Sequence, residues 1–254
     1  MKKAIKIFSA ILGCSMALVL SVIWMFLFGN PVSYVLASLT AHKYVSEVYA
    51  DTDYQIEGIK YGVTKNNFYG YWVQVASSSS IDSHFQLIIN MGGGLVEDEY
   101  EEYVVGKRNT SERIWREYRA LINTLFENPE MEHEENWVAY GDISLRHMGI
   151  TSKDLELDKI YDVSELGRSC GEVYRQVREE DNDFITLERM AEILLQTKRV
   201  ADEMNIGFYN ITVSLSVLNG DYLRVENFLY SDIYEEGLIE RIQENIEAQN
   251  REEN

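Results

Sequence analysis

The sequence predicts an α+β fold, with an N-terminal transmembrane helix followed by two small domains, each with helices packed on an antiparallel sheet. A long, uncharged apolar run near the N-terminus predicts the transmembrane helix. Beyond it, alternating apolar residues between turn residues predict strands, and apolar residues three and four positions apart predict helices. Hydrophobic residues make up 46% of the 254 positions, which is enough to build a core beyond the anchor.

The predicted transmembrane helix extends from Ile7 to Phe28, a run without any charged residue. As a helix it is about 33 Å long, which is enough to cross the hydrocarbon core of a bilayer. Lys2, Lys3 and Lys6 precede it and predict a cytoplasmic N-terminus. Residues 1–30 are therefore expected to form a short cytoplasmic stub and one span, with the bulk of the chain extracellular.

Two other kinds of N-terminal segment, a cleaved secretory signal and a lipoprotein signal, also contain an apolar run. A cleaved secretory signal has an apolar core of about 7 to 15 residues that ends in small residues. Here the run is longer and ends in Trp24-Met25-Phe26-Leu27-Phe28. A lipoprotein signal would use Cys14, which follows Ile11-Leu12-Gly13, but the more apolar half of the run lies after that cysteine. We therefore expect an uncleaved helix in which Cys14 is a lipid-facing or helix-buried thiol.

The part of the chain beyond the span is strongly acidic. It holds 20 of the 23 Lys and Arg residues and all 42 Asp and Glu residues, a net charge of −22. Such a charge repels nucleic acid and anionic headgroups, whereas it attracts cationic peptides and divalent ions. The one cysteine beyond the span, Cys170, has no partner there for a disulfide, so the fold is expected to depend on its core.

The first predicted domain covers residues 31–128. Asn30 followed by Pro31 predicts a helix start, and apolar residues three and four positions apart predict one buried face on this helix. The residues of the predicted face are Val32, Val35, Leu36, Leu39, Ala41, Tyr44, Val45 and Val48. Three strands follow, with a β-bulge predicted at Gly58 in the first. The acidic segment Glu97–Glu102 and a longer segment opened by Asn109 are then predicted to be helical.

The second predicted domain covers residues 136–254, after a charged stretch around Pro129. A strand from Trp137 and a short helix opened by Asp162 precede a strand near Val173–Val177. The strongest amphipathic helix spans 187–205 and is expected to cover a hairpin turned by Asn219-Gly220, both with positive φ. Only the face of its first strand that holds Val213 is expected to be covered. A final helix follows from Leu238.

Motifs for known chemistry are absent from the sequence. It has no zinc-binding spacing, P-loop or Gly-x-Ser-x-Gly element. Glu179–Asp183 suggests calcium, but Ile185 stands where a calcium-binding loop needs an oxygen ligand. Asp82, Ser83 and His84 include the residue types of a catalytic triad, yet adjacent residues of an extended chain point to opposite faces. We therefore predict no catalytic residue, cofactor or metal ligand, and retain Asp82 and His84 as polar surface candidates.

Several short blocks give the chain a likeness to a known family. They include Gly29-Asn30-Pro31, Ile81–Phe85, Asp98–Glu101, Met190–Leu194 and, most specific, Val225–Leu238. On these blocks the chain resembles the YfjL-like family, membrane-anchored proteins of Gram-positive bacteria. The resemblance implies a plasma-membrane anchor, an N-terminal domain and a C-terminal domain, and brings no catalytic residues.

These observations favour a binding or interaction module of the bacterial cell envelope over an enzyme. We expect it to be attached to the lipid bilayer through one helix and to bind an envelope protein or a cationic peptide, without nucleic acid. One alternative is an envelope enzyme, because acid–base catalysis needs only two suitably placed carboxylates. Another is a sensing ectodomain, which would need a second membrane protein because only six residues precede the span.

Overall fold

The chain forms two compact units, Met1–Asn109 and Thr110–Asn254. This division differs from the predicted domains 31–128 and 136–254. The helix before Pro129 contributes Tyr118 and Ile122 to the core of the second unit, and the division accordingly lies in the first turn of that helix. The computed structural model describes residues 2–65, 67–131, 137–217, 220 and 222–252.

The first unit begins with two helices, α1 (Lys2–Phe28) and α2 (Pro31–Val48). Gly29 separates them with a φ of 79°, and Asn30 caps α2 by accepting a hydrogen bond from the Ser33 amide at 2.9 Å. Among the described residues, no helix proves both long enough and apolar enough to cross a membrane.

Helix α2 buries only part of the predicted face. Ala41 and Val45 are buried as predicted, whereas Val32, Val35, Leu36 and Leu39 in the first part of the helix are exposed. The prediction that they face the core is therefore wrong. Small residues instead dominate the buried face, because they let the helix approach the sheet closely. The buried residues are Ser33, Ala37, Ala41 and Val45.

Four antiparallel strands in sequential order form the sheet of the first unit. The predicted bulge in the first strand is confirmed between Ile56 and Gly58. The predicted helix at Glu97–Glu102 is wrong at its start. Asn90 Oδ1 accepts hydrogen bonds from the amides of Gly92 and Gly94, which closes a tight turn and returns the chain as a fourth strand. The strands are β1 (Tyr54–Val63), β2 (Tyr69–Ser77), β3 (His84–Asn90) and β4 (Leu95–Asp98).

The second unit contains a mixed sheet with strand order β5-β6-β7-β8. The prediction of an antiparallel sheet is wrong for its central pair, since β6 and β7 are parallel. A parallel pair needs a crossover connection, and the helix that lies between these two strands in the sequence provides it. The elements are α3 (Arg108–Phe126), β5 (Trp137–Ile143), α4 (Val163–Cys170), β6 (Gly171–Glu179), α5 (Leu187–Glu203), β7 (Asn210–Val217), β8 (Tyr222–Leu229) and α6 (Leu238–Glu252).

The core of the second unit joins α5 to the sheet as predicted. Met190, Ile193 and Leu194 on the helix and Val213 and Leu215 on β7 belong to one buried cluster. Apolar side chains at helical spacing thus meet apolar side chains at strand spacing.

The hairpin of β7 and β8 is confirmed by the pairing of Ser216 with Tyr222. Asn219 lies outside the described residues. The Gly220 amide donates to the Val217 carbonyl at 3.1 Å, which makes Gly220 the last residue of a four-residue turn. Its φ also lies outside the left-handed region, so the predicted central position for this glycine is wrong.

Strand β7 is covered on both faces in its first half, contrary to the expectation of one covered face. Thr212 is buried, as are Ile211 and Val213 on either side of it. A register shift occurs at this point, and Asn227 on β8 has a φ of 49°. The Thr212 hydroxyl accepts a hydrogen bond from the Asn227 amide at 3.1 Å, so the polar side chain is satisfied where it is buried.

This packing predicts unequal costs along β7. Replacing Val213 by Asp should lower the free energy of unfolding by about 3 kcal/mol or more, because it buries an unpaired carboxylate. Ser216→Asp, a partly exposed position on the same strand, should cost about 0.5 kcal/mol or less. Urea denaturation of the full chain in detergent measures both, and equal losses would contradict the arrangement.

Candidate functional site

A groove on the second unit combines an apolar floor with charged walls. It lies between the outer face of α5 and residues 233–235, and its volume is about 770 Å³. We call it the α5 groove. The lining residues that matter most here are Leu195, Lys198, Arg199, Asp202, Ile233 and Tyr234.

The wall on α5 follows from the pattern of that helix. Thr186 caps the helix by accepting a hydrogen bond from the Arg189 amide at 3.1 Å. The residues that face the core are apolar, and most of those on the outer face are charged. Leu195 is half-buried and lines the groove. It therefore contributes apolar surface between the charged positions of the wall.

The opposite wall is held by one arginine. Arg241 on α6 donates hydrogen bonds to the backbone carbonyls of Asp232 at 3.0 Å, Tyr234 at 2.6 Å and Glu236 at 2.6 Å. Its guanidinium carbon lies 3.5 Å from the centroid of the Tyr234 ring. These bonds satisfy three carbonyls of a segment outside any strand, because a guanidinium is a planar donor with a fixed geometry. The wall is thus a fixed surface.

Close to this wall, Tyr230 connects α5 to the end of β8. Its hydroxyl donates to Asp202, and the ammonium of Lys198 lies 3.3 Å from its ring centroid. Burial, followed by the hydrogen bond to Asp202, raises the pKa of Tyr230. The phenol therefore stays neutral at physiological pH and acts as a structural link.

Acidic residues outnumber basic ones around the groove. Arg199 pairs with Glu130 at 2.7 Å and with Glu203 at 3.1 Å, and Lys198 lies 3.7 Å from Asp202. Both basic side chains of the lining therefore have acidic partners. Further carboxylates come from Glu192 and Glu235. The groove consequently suits a ligand that brings positive charge and one apolar side chain.

Asp82 and His84, the polar surface candidates, belong to a packed segment. Asp82 is 1% exposed, so its assignment to the surface is wrong, and His84 is half-buried. The Asn109 side chain donates to the carbonyls of Asp82 at 2.8 Å and His84 at 2.5 Å, which draws the segment inward. The structure gives these residues a role in holding the loop before β3.

A second polar cluster lies in the first unit, where Asp98 accepts hydrogen bonds from the hydroxyls of Tyr44 at 2.9 Å and Tyr49 at 2.7 Å. Burial and the bond to Asp98 raise the pKa of Tyr44 to about 12. Four neighbouring rings have centroids 5.1 to 5.9 Å apart, the spacing of rings in direct contact. Because these rings fill the space between them, they do not form a cage for a cation. They are Tyr49, Tyr54, Phe85 and Tyr100.

The acidic run near Glu179 is also structural. Glu179 pairs with Arg189 at 2.9 Å, and Asp181 caps the turn that follows it. Throughout the described ranges, no group of three or more His, Cys, Asp or Glu side chains is arranged to hold a metal ion.

The groove itself was not predicted from the sequence. Leu195 directly follows two buried residues of α5, Ile193 and Leu194, and Arg241 is one of several charged residues on α6. The one available signal was Gly237, whose φ of 66° ends the segment that Arg241 holds, four residues before the arginine. This glycine indicates a turn, but it does not indicate that the turn lines a groove.

Replacing Arg241 by Lys should free the groove wall. One ammonium cannot reproduce three bonds from a planar guanidinium, so amides 232–237 should exchange hydrogen at least about tenfold faster. Arg251→Lys is the matched control, because Arg251 is exposed on the same helix and donates to Glu247 alone among the bonds described for it. Hydrogen exchange with mass spectrometry measures both. Unchanged exchange in Arg241→Lys would show that the wall does not depend on the guanidinium.

Comparison with known proteins gives a family-model match in each of the two units. Residues 1–100 match the family model described as YfjL-like, N-terminal domain. Residues 117–243 match the model described as YfjL-like C-terminal domain, and they include the whole α5 groove. No curated protein matches the chain, and no solved structure does.

Proposed function

The chain belongs to the YfjL-like family, and from that premise we propose that it is a membrane-anchored binding module of the bacterial cell envelope. The observation that carries the proposal is the α5 groove, which offers an apolar floor, an acidic surround and a wall fixed by Arg241. Binding, and not catalysis, is the activity that such a surface supports.

The anchor in this proposal is the uncharged run from Ile7 to Phe28. Two features of α1 support it. The hydroxyls of Ser15 and Ser21 donate to carbonyls four residues earlier at 2.8 Å, so neither needs water. Trp24 and Phe28 pair near the end of the helix, where aromatic residues favour a membrane boundary.

The proposed orientation puts both units outside the cell. The lysines before the run favour a cytoplasmic N-terminus. An acidic extracellular unit would repel anionic lipid and attract basic segments of other envelope components. The groove would then face partners outside the membrane.

The proposed ligand is a short basic peptide segment with one central apolar side chain. The apolar side chain would lie on Leu195, and lysines or arginines on either side would meet Glu203 and Glu235. Apolar burial would supply affinity, while the carboxylates would select positive charge and speed association.

Fluorescence anisotropy with labelled peptides tests the groove. The full chain in detergent should bind a Lys- and Arg-rich peptide with a central Leu and should not bind the same peptide with Glu in place of the basic residues. Leu195→Ser should raise the Kd about tenfold, because the apolar floor is lost. Glu235→Gln should raise it about two- to threefold, and added salt should weaken the binding of all variants that bind.

Glu244→Gln is the matched control, because Glu244 is exposed on α6 and is not part of the groove lining. It removes the same charge and should leave the Kd unchanged. An unchanged Kd in Leu195→Ser, or equal binding of the acidic peptide, would contradict the proposed use of the groove.

A further inference from the structure

The first part of helix α2 exposes its large apolar side chains and buries small ones. Val32 is 70% exposed and Leu39 is 64% exposed, while Ala37 and Ala41 are completely buried. A helix on the surface of a water-soluble domain shows the opposite arrangement. The face formed by Val32, Val35, Leu36 and Leu39, which we call the outer α2 face, is therefore unsuited to water.

The outer α2 face belongs to a longer uncharged stretch. From Ile7 to His42 the chain has no Asp, Glu, Lys or Arg, although charged residues make up 26% of the sequence. Charge returns within α2 itself at Lys43 and Glu47, which form an ion pair at 3.9 Å. The helix thus has an uncharged first part, which follows α1, and a charged second part.

The joint between α1 and α2 is short and tightly packed. Gly29 alone separates the end of α1 from the cap of α2, and a Cβ there would lie 3.0 Å from the Tyr61 ring. The Tyr71 hydroxyl lies 2.5 Å from the Ser33 hydroxyl, which attaches the first turn of α2 to the sheet. The outer α2 face therefore stays near the end of α1, since its residues span about 12 Å of helix.

We propose that the outer α2 face lies in the headgroup boundary of the bilayer, so that the first unit rests on the membrane through this helix. The proposal rests on the proposed membrane anchor and adds where the first unit sits. An interfacial helix buries its apolar face about 5 to 10 Å into this boundary.

Lipid is the occupant because the face is continuous with α1, whose described side chains from Leu18 to Phe28 are likewise exposed and apolar, apart from Ser21. The acidic charge that repels anionic headgroups lies beyond this stretch. Contact by apolar burial alone is therefore compatible with the overall charge.

Alkylation of single cysteines tests this contact. The full chain carrying Cys14→Ser is placed in lipid nanodiscs at one copy per disc, and Cys170 remains because it is completely buried. Leu39→Cys is compared with Glu47→Cys, because both native residues are exposed on α2. A water-soluble maleimide should modify Leu39→Cys at least about tenfold more slowly, because lipid covers that position. Val32→Cys against Lys43→Cys provides a second pair.

A second readout distinguishes lipid from protein as the cover. An environment-sensitive fluorophore on residue 39 should be quenched by spin labels carried near the lipid headgroups, and the same fluorophore on residue 47 should not. Equal alkylation of Leu39→Cys and Glu47→Cys would overturn the proposal. Slow alkylation of Leu39→Cys without quenching would also overturn it, because protein would then be the cover.

Leu20→Cys on α1 separates this inference from the anchor on which it rests. Unreactive Leu20→Cys with fully reactive Leu39→Cys would leave the anchor standing and reject the interfacial contact. Reactive Leu20→Cys would reject the anchor itself.

Discussion

The arrangement of the first unit depends on the close packing of α2 against its sheet. Ala37 and Ala41 have no side chain beyond Cβ, so the helix can lie near the strands. Ser33 and Thr40 use their hydroxyls in the same contact, bonding to Tyr71 and to the Gly93 carbonyl at 2.7 Å. Because the small residues face inward, the large apolar residues of the first part of α2 are left facing outward.

The same packing connects the sheet to α1. With α2 held and Gly29 as the only residue between α1 and the Asn30 cap, the end of α1 has a defined position in the first unit. A flexible linker would have left the position of α1 relative to the sheet undefined. The absence of charge from Ile7 to His42 follows this path through both helices and ends within α2. The uncharged stretch therefore covers most of α1 and the adjoining first part of α2.

In the second unit, helix α5 contributes to two surfaces. One face covers the parallel pair β6 and β7, while the other carries Leu195 and the charged residues of the groove. A backbone segment outside any strand lines that groove, and its carbonyls need donors when they are held in place. Arg241 supplies those donors, so the groove depends on a side chain that binds no ligand.

The types of most helices and strands were predictable, because their apolar periodicity is local. The bulge at Gly58 and the cap at Asp162 are examples in which turn and cap residues sufficed. The buried face of α2 was predictable only in part from hydrophobicity. Val35 and Leu39 form the more apolar stripe, but steric fit to the sheet places the small residues Ala37 and Ala41 inward.

The remaining differences come from distant contacts. Alternating apolar residues suit parallel and antiparallel neighbours equally in a short strand. The helix between β6 and β7 was predicted, but the sequence did not show that these two strands are neighbours in the sheet, and their parallel direction follows from that pairing. Asp82 looked like a surface residue because its neighbours are polar, and the Asn109 side chain that draws its segment inward is far along the chain. Arg241 likewise acts on carbonyls whose path cannot be derived from periodicity.

In the proposed function, the uncharged N-terminal run holds the acidic units outside the cell. Protease treatment of intact protoplasts that express the full chain with a C-terminal tag tests it most directly, with a cytoplasmic protein as the control for intact membranes. The account predicts that externally added protease removes the tag while the cytoplasmic control survives, and that the untreated chain stays in the membrane fraction. A tag that stays protected until the membrane is permeabilised, or a chain recovered in the soluble fraction, would contradict it.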